Sequence, residues 1–308
     1  MHAAVVTSFD APPRYSEYPA PVAEGENEMV VDVLAAGLHH LVRARANGTH
    51  YSGTGRLPFV PGVDGVVRDR HGNLRYAVLD DTDLGMFAEQ TLIDPRRSVV
   101  LPGDVDPVHI AAAMNPAMSS WVALRRRIAF QKGQRVLVLG ATGSAGRMAV
   151  QIAKQFGAAY VIAAGRNASR LAALHDLGAD ETVTFEQTDR AAEVDVVLDY
   201  VWGEPSARAM TAMITARRDR SAPLDWIQIG SVAGQTIPLH SALLRASRLQ
   251  ICGSGIGSVS SRDILAELPE LAVAVHTGAI DVQARPVPLA QIAETWSAET
   301  EDRIVFVP

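Results

Sequence analysis

The chain has 308 residues, which is long enough for two domains, and its 48% hydrophobic content is ample for two cores. Its formal net charge of −6 argues against a nucleic-acid partner and against attachment to an anionic membrane. The single cysteine, Cys252, excludes an internal disulfide and a cysteine-rich zinc lobe.

The first part of the chain, residues 1–116, alternates short apolar runs with turn signals. We predict strands over residues 3–7, 29–35, 62–67, 74–79, 87–93 and 99–101. This pattern is typical of a β-rich, barrel-like domain. The N-terminal segment has no basic region followed by a long apolar run, and no stretch reaches about 18 apolar residues. We therefore expect a cytoplasmic protein.

A different rhythm begins near Asn115. A helical stretch precedes predicted strands over residues 135–140, 159–164, 194–199 and 225–230, which are separated by helices. This alternation predicts a doubly wound α/β domain over residues 117–259. A helix near 262–275 and strands near 284–287 and 304–307 follow. We expect residues 260–308 to return to the first domain and complete it.

A glycine-rich turn follows the apolar run of residues 136–139. It has the pattern A-x-G-x-x-G and opens an amphipathic helix, which is the context of a dinucleotide-binding turn. Gly143 lets the backbone approach a pyrophosphate, Gly146 lets helix and strand pack closely, and the helix N-terminus favours phosphate. The candidate cofactor residues of this turn are Ala141, Thr142, Gly143, Ser144, Ala145 and Gly146.

The end of the next strand indicates which dinucleotide binds. It carries Gly165-Arg166-Asn167 where an NAD site has a carboxylate for the ribose 2′-OH. Residues 107–175 contain nine Lys and Arg and no Asp or Glu. Arg166, with Arg170 nearby, suits the 2′-phosphate of NADPH, since a guanidinium binds phosphate in a bidentate manner. The alternative is that both arginines are ordinary solvated residues, with NADH as the cofactor.

Two later strand ends carry further candidates, because ligands of such sheets bind at the carboxyl edge. Asp199-Tyr200-Val201-Trp202-Gly203 ends one strand, and Tyr200 and Trp202 are predicted to flank cofactor or substrate. Aromatic packing is the alternative for Trp202. Gly230 and Ser231 end the next strand and are predicted to contact the cofactor.

The chain resembles the medium-chain dehydrogenase/reductase superfamily, specifically its zinc-independent quinone oxidoreductase branch. Segments along nearly the whole chain carry this resemblance, in order: AAVV at 3–6, AGLHH at 36–40, LPFVPGVDG at 57–65, GMFAE at 85–89, the glycine turn, and ICGS at 251–254. Their order and spacing make the match stronger than any one segment does.

The resemblance implies a GroES-like β-barrel catalytic domain with a Rossmann cofactor domain, NADPH as cofactor, and a homodimer. It also implies reduction of quinones or of the C=C bond of α,β-unsaturated carbonyls. By the same resemblance, the backbone of Gly253, Ser254 and Gly255 holds the nicotinamide carboxamide. Asn115 falls where the cofactor domain of the family begins, and its amide is a candidate for contact with substrate or ribose. Its alternative role is to hold a turn before Pro116.

The chain departs from its zinc-dependent relatives at the metal ligands. It has His39 where they have a cysteine and Val63 where they have a histidine. His39 and Asp64 are too few for a three-ligand zinc site, so we expect no metal. In the quinone reductase branch an Asn and a later Tyr are common at these places; here His39 and the pair His50-Tyr51 occupy them.

Reduction of a quinone or enone requires a donor for the negative charge that develops on the carbonyl oxygen, and it requires a proton. The catalytic candidates are Tyr51 and His39, with His40 and His50 as substrate-binding candidates. A capping aromatic role for Tyr51 and a structural or surface role for one of the adjacent histidines remain open. Two other functions also remain open: an alcohol or carbonyl oxidoreductase, and a non-catalytic NADPH-binding sensor or scaffold.

Overall fold

The computed structural model describes residues 1–49, 55–79, 82–298, 300 and 302–308. The chain divides into two compact units. The first comprises Met1–Asn115 with Leu268–Pro308, and the second comprises Pro116–Glu267. Within the described ranges, no helix has the length and apolar character needed to cross a membrane.

The elements follow one another in chain order. The strands are β1 (His2–Val5), β2 (Arg14–Glu17), β3 (Met29–Gly37), β4 (Asp64–Arg68), β5 (Leu74–Val78), β6 (Gln90–Ile93), β7 (Ser98–Val100), β8 (Arg135–Leu139), β9 (Tyr160–Gly165), β10 (Glu181–Thr184), β11 (Val196–Asp199), β12 (Leu224–Gln228), β13 (Leu249–Gly253), β14 (Ala284–Pro288) and β15 (Arg303–Val307). The α-helices are α1 (His40–Ala46), α2 (Pro107–Val122), α3 (Ser144–Gln155), α4 (Ala168–Ala172), α5 (Gly203–Ala216), α6 (Ser241–Arg245), α7 (Ser261–His276) and α8 (Ile292–Thr295).

The first unit is built on a largely antiparallel sheet of order β14-β15-β3-β4-β5-β7, with β6 also paired to β3. The C-terminal strand β15 joins this sheet by antiparallel pairing with β3, at Val305 with Gly37 and at Phe306 with Ala36. Apolar side chains from β3, β4 and β15 meet in a buried core that includes Val33 and Phe87. Burial of this apolar surface stabilises the unit.

The second unit contains a six-stranded sheet of order β10-β9-β8-β11-β12-β13, and all its strand pairs are parallel. Counted from β8, this is the strand order 3-2-1-4-5-6 of a doubly wound fold, which confirms the predicted fold class. The order reverses between β8 and β11. Ligands of such sheets bind at the carboxyl ends of the strands where the order reverses.

Two local expectations were wrong. Strand β10 was not predicted; only Val183 of Glu-Thr-Val-Thr is buried, so this edge strand lacks a strong apolar pattern. Asn115 does not hold a turn before Pro116, because α2 continues through both residues. A proline inside a helix removes one hydrogen bond. Burial of neighbours such as Ala111 and Met114 outweighs that loss here.

Candidate functional site

The glycine turn connects β8 to α3 at the point where the strand order reverses. Gly143 is the N-cap residue of α3, and no side chain in the described part of the protein caps it. The first N–H groups of a helix have no partners within the helix and attract anions. The predicted residues Ser144 and Ala145 lie in this first turn. The turn therefore presents backbone donors where a phosphate group fits.

Gly143 and Gly146 differ in what surrounds them. A Cβ on Gly146 would lie 2.3 Å from the carbonyl oxygen of Gly140 and 2.7 Å from the Cα of Ala141. This contact confirms the prediction that Gly146 allows close packing of the helix. Among the described residues, a Cβ on Gly143 would meet only the Gly140 oxygen, at 3.7 Å. Internal packing does not require a glycine at 143, and its missing side chain leaves space for a ligand, so the turn fits a dinucleotide.

The loop after β9 carries the residues predicted to distinguish NADPH from NADH. Gly165 packs against Thr142, whose Cγ2 lies 3.0 Å from the position of an added Cβ. Asn167 has a structural role, since its side-chain oxygen accepts from the N–H of Arg170 at 3.1 Å and caps α4. Arg166 is exposed, and among the described residues it has no carboxylate partner. Its guanidinium is therefore available for a 2′-phosphate.

The turn after β11 is held by Asp199, which is not among the site residues predicted from the sequence. Its side chain is fully buried. Oδ1 accepts from the backbone N–H groups of Val201 at 2.8 Å and Trp202 at 2.9 Å, and Oδ2 accepts from Nε1 of Trp226 at 2.9 Å. A carboxylate with several donors fixes the backbone around it, because leaving those buried donors unpaired would be costly.

Tyr200 lies in the middle of this turn and contacts the neighbouring strand ends. An added Cβ on Gly140 would lie 3.3 Å from the Cβ of Tyr200, and one on Gly230 would lie 2.6 Å from its carbonyl oxygen. The phenol is within 3.0 Å of the hydroxyl of Ser119, and burial raises the pKa of Tyr200 to about 12. Tyr200 is thus a neutral phenol near neutral pH. The structure brings together Gly140, Tyr200 and Gly230, and the partly buried Ser231 follows in the chain.

The predicted carboxamide-binding backbone at the end of β13 already has partners within the protein. The carbonyl oxygen of Gly253 accepts from Nε of Arg127 at 2.6 Å. The N–H of Ser254 donates to Gln228, and the N–H of Gly255 donates to the hydroxyl of Ser258, both at 2.8 Å. These bonds order the segment. Its contact with a nicotinamide stays a prediction.

The first unit holds a separate buried cluster around Asp64. Nε2 of His39 lies 2.7 Å from Oδ1 of Asp64, and Asn115 donates to the same oxygen at 3.1 Å. The hydroxyl of Tyr76 donates to Oδ2 at 2.7 Å. His39 is only 5% exposed, and Asp64 is fully buried. The carboxylate thus has a donor for each oxygen, as a buried charge requires.

This environment favours neutral His39. Burial lowers its pKa, and the nearby Asp64 opposes that shift only in part, while Arg303 and Arg45 lower it further. A neutral imidazole has one N–H, and the hydrogen bond to Asp64 keeps that N–H at Nε2. Nδ1 is then an acceptor, so His39 could donate to a substrate oxygen only as imidazolium. This argues against the predicted role of neutral His39 as a hydrogen-bond donor.

The remaining histidine and tyrosine candidates are placed differently. His40 is the exposed first residue of α1. His50 and Tyr51 lie outside the described residues. Tyr76 was not predicted to belong to the cluster. No spacing signal in the sequence links it to Asp64.

The same cluster does not fit a metal ion. His39 and Asp64 are joined by a direct hydrogen bond of 2.7 Å, and Val63 has no ligating atom. Across the described ranges, no group of three His, Cys, Asp or Glu side chains is arranged to hold a metal. A catalytic zinc site needs three protein ligands.

Comparisons with known proteins agree with this architecture. The family model described as zinc-binding dehydrogenase matches residues 145–272. A probable NADPH-dependent quinone reductase, tdiC, of Emericella nidulans is 31% identical over 361 residues, with 100% of both chains covered. The chloroplastic NADPH-dependent alkenal/one oxidoreductase of Arabidopsis thaliana is 27% identical over 195 residues, 57% of this chain and 50% of that protein.

Solved structures show the same fold. The quinone oxidoreductase from Thermus thermophilus, also solved in complex with NADPH, has a TM-score of 0.82 at 24% identity, and 100% of each chain is covered. The Emericella nidulans protein, at 31% identity over the whole of both chains, adds evidence from sequence for the same family. Together with the strand order and the glycine turn, these matches confirm the predicted family. The chain belongs to the medium-chain dehydrogenase/reductase superfamily, in its quinone oxidoreductase-like branch.

Proposed function

We propose that this protein uses NADPH to reduce quinones or the conjugated C=C bond of α,β-unsaturated carbonyls. The observation that carries the proposal is the uncapped glycine turn at the reversal of strand order, followed on the next strand by Arg166 in place of a carboxylate. The names of the similar proteins, an NADPH-dependent quinone reductase and an NADPH-dependent alkenal/one oxidoreductase, support it.

The chain offers a distinct group for each part of the cofactor. Backbone N–H groups of residues 144–146 bind the pyrophosphate at the N-terminus of α3. Arg166 binds the 2′-phosphate. With no Asp or Glu between residues 107 and 175, the local sequence does not provide the carboxylate that favours NADH. Tyr200 follows β11, and Gly230 and Ser231 follow β12, across the reversal point from Arg166, so we assign these three residues to the nicotinamide half.

NADPH, when bound, supplies a hydride at C4 of its nicotinamide. The chain must bind and orient the acceptor, and a proton must complete the reduction. His39 holds such a proton only as imidazolium, at Nδ1, with Asp64 accepting at Nε2. Burial lowers the pKa of His39, so this imidazolium is a stronger acid than free histidine. Water is the other proton source, and Tyr51 stays a predicted donor.

We further propose that the reaction needs no zinc, since the ligand positions do not fit a metal.

We also propose that the protein is a cytoplasmic homodimer. β13 is at the edge of the six-stranded sheet, with Gln250 and Ile251 exposed. An exposed edge strand is a surface on which a second copy can pair. Sedimentation at several protein concentrations tests the dimer, and Ile251→Lys should shift it to monomer.

The test of the activity is oxidation of NADPH, with NADH in parallel, against small panels of quinones and enones in the presence of a chelator. We expect turnover that resists the chelator and prefers NADPH. Zinc-dependent alcohol chemistry would instead be lost on chelation. Tight NADPH binding with no turnover on any acceptor would favour the sensor function.

A further inference from the structure

Trp202 has a backbone conformation that side chains rarely adopt. Its φ is 53° and its ψ is −166°. In this region of φ/ψ space the Cβ clashes with the backbone, so glycine occupies it almost exclusively. Among the described residues, Trp202 is the only non-glycine with a positive φ. Residues held in such conformations cluster at functional sites, so this one requires an explanation.

The surrounding structure holds Trp202 in this conformation. The N–H groups of Val201 and Trp202 both donate to Oδ1 of Asp199, whose other oxygen is bound to the indole of Trp226. On the other side, Gly203 has a φ of 67° and packs against Ala233, whose carbonyl oxygen lies 2.7 Å from the position of an added Cβ. The strained residue therefore lies between two fixed anchors.

Packing alone does not explain a tryptophan at this position. Its side chain contacts the apolar core of the second unit but stays only partly buried. A glycine would adopt the same backbone without strain. The strained backbone therefore keeps an indole at the carboxyl ends of the parallel strands. That indole stays partly exposed.

The place of Trp202 in the sheet indicates what the indole contacts. Arg166, the residue suited to the 2′-phosphate of the adenosine half, follows β9. Trp202 follows β11, on the opposite side of the point where the strand order reverses. A dinucleotide bound across this point has its adenosine half toward β9 and its nicotinamide half toward β11. Trp202 is thus on the side where hydride leaves and where an acceptor must bind.

We propose that Trp202 is a specificity-determining residue whose indole stacks on flat, conjugated ring acceptors, so that polycyclic aromatic quinones are preferred over small aliphatic enones. Stacked aromatic rings attract each other beyond their area of contact. This inference rests on the proposed function, and it names the substrate class for that site.

A pair of variants separates the indole from the backbone. Trp202→Ala and Trp202→Gly both remove the indole, but only Ala keeps a Cβ in the strained conformation. Glycine normally lowers stability relative to alanine; here we expect the Gly variant to have a Tm at least about 2 °C above that of the Ala variant. Val232→Ala, at a site 75% exposed, is the matched control outside this turn.

For both variants we expect kcat/KM with 9,10-phenanthrenequinone to fall about 10-fold, with methyl vinyl ketone changed less than about 2-fold. The Kd for NADPH, measured by its fluorescence without acceptor, should also stay within about 2-fold. Unchanged phenanthrenequinone kinetics in both variants would overturn the inference alone. A weakened NADPH Kd with equal loss on both acceptors would overturn it in favour of a cofactor contact. A wild-type protein that uses neither acceptor would overturn the proposed function and, with it, this inference.

Discussion

Two alanine substitutions in the glycine turn should have opposite effects on folding and on binding. In Gly146→Ala, the new Cβ would lie 2.3 Å from one backbone oxygen and 2.7 Å from a backbone Cα, so helix and turn must separate. Overpacking against backbone costs about 3 kcal/mol, and the better helix propensity of alanine returns about 1 kcal/mol. We expect a net loss of about 2 kcal/mol, or a Tm lower by about 4–8 °C.

Gly143→Ala is the matched substitution. Its Cβ would have a nearest neighbour at 3.7 Å, and Gly143 has a φ of −79°, which alanine adopts without strain. Its free energy of unfolding should therefore change by less than about 0.5 kcal/mol. The same Cβ would occupy the space where the pyrophosphate approaches the backbone, so the Kd for NADPH should rise about 10-fold or more.

The assays are thermal unfolding and NADPH fluorescence titration on the wild type and both variants. If Gly146→Ala melts like the wild type, α3 does not pack against the turn closely enough to exclude a Cβ at position 146. If Gly143→Ala binds NADPH with wild-type affinity, the pyrophosphate does not lie on this turn, and the assignment of the site fails whatever the melting data show.

Three other changes test separate parts of the account. Arg166→Ala should raise the Kd for NADPH about 10-fold and leave that for NADH within about 2-fold, because only NADPH has the 2′-phosphate; equal changes would refute the contact. Burial lowers the pKa of His39 below its ordinary value of 6.5, so the unfolded state binds a proton that the folded state excludes. The free energy of unfolding should therefore fall as pH drops below about 6.5, and urea denaturation of His39→Gln should show a smaller fall. Asp199→Asn replaces the oxygen that accepts from the indole N–H of Trp226 with an amide NH₂ group, which is itself a donor. The free energy of unfolding should fall by about 2 kcal/mol, measured by thermal unfolding, and a wild-type Tm would contradict the network.

The nucleotide-binding part of the fold could be predicted from the sequence because its signals are local. The glycines at 143 and 146 follow a predicted strand and open a predicted helix. The absence of a carboxylate after the next strand is visible in the few residues around Arg166. Strand β10 was missed because an edge strand with one buried residue has no apolar pattern to detect.

The cluster around Asp64 could not be predicted in the same way. Its members come from α2, β5 and the start of α1 as well as β4, and only folding brings them together. From the sequence, Asp64 is a candidate only as a metal ligand. Likewise, the motif around Trp202 identified a strand end but not a positive φ, because the backbone conformation depends on Asp199 and on Trp226, which is 27 residues from Asp199.

The most direct test of the central claim is a single-turnover reaction of an α,β-unsaturated ketone with NADPH deuterated at both C4 positions. The account predicts one deuterium at the β-carbon of the saturated product, a proton from solvent at the α-carbon, and the same yield with a chelator present. Deuterium at the carbonyl carbon of an alcohol product would contradict it by showing carbonyl reduction. A bound cofactor that retains both deuterons with enones and quinones alike would show binding without reduction.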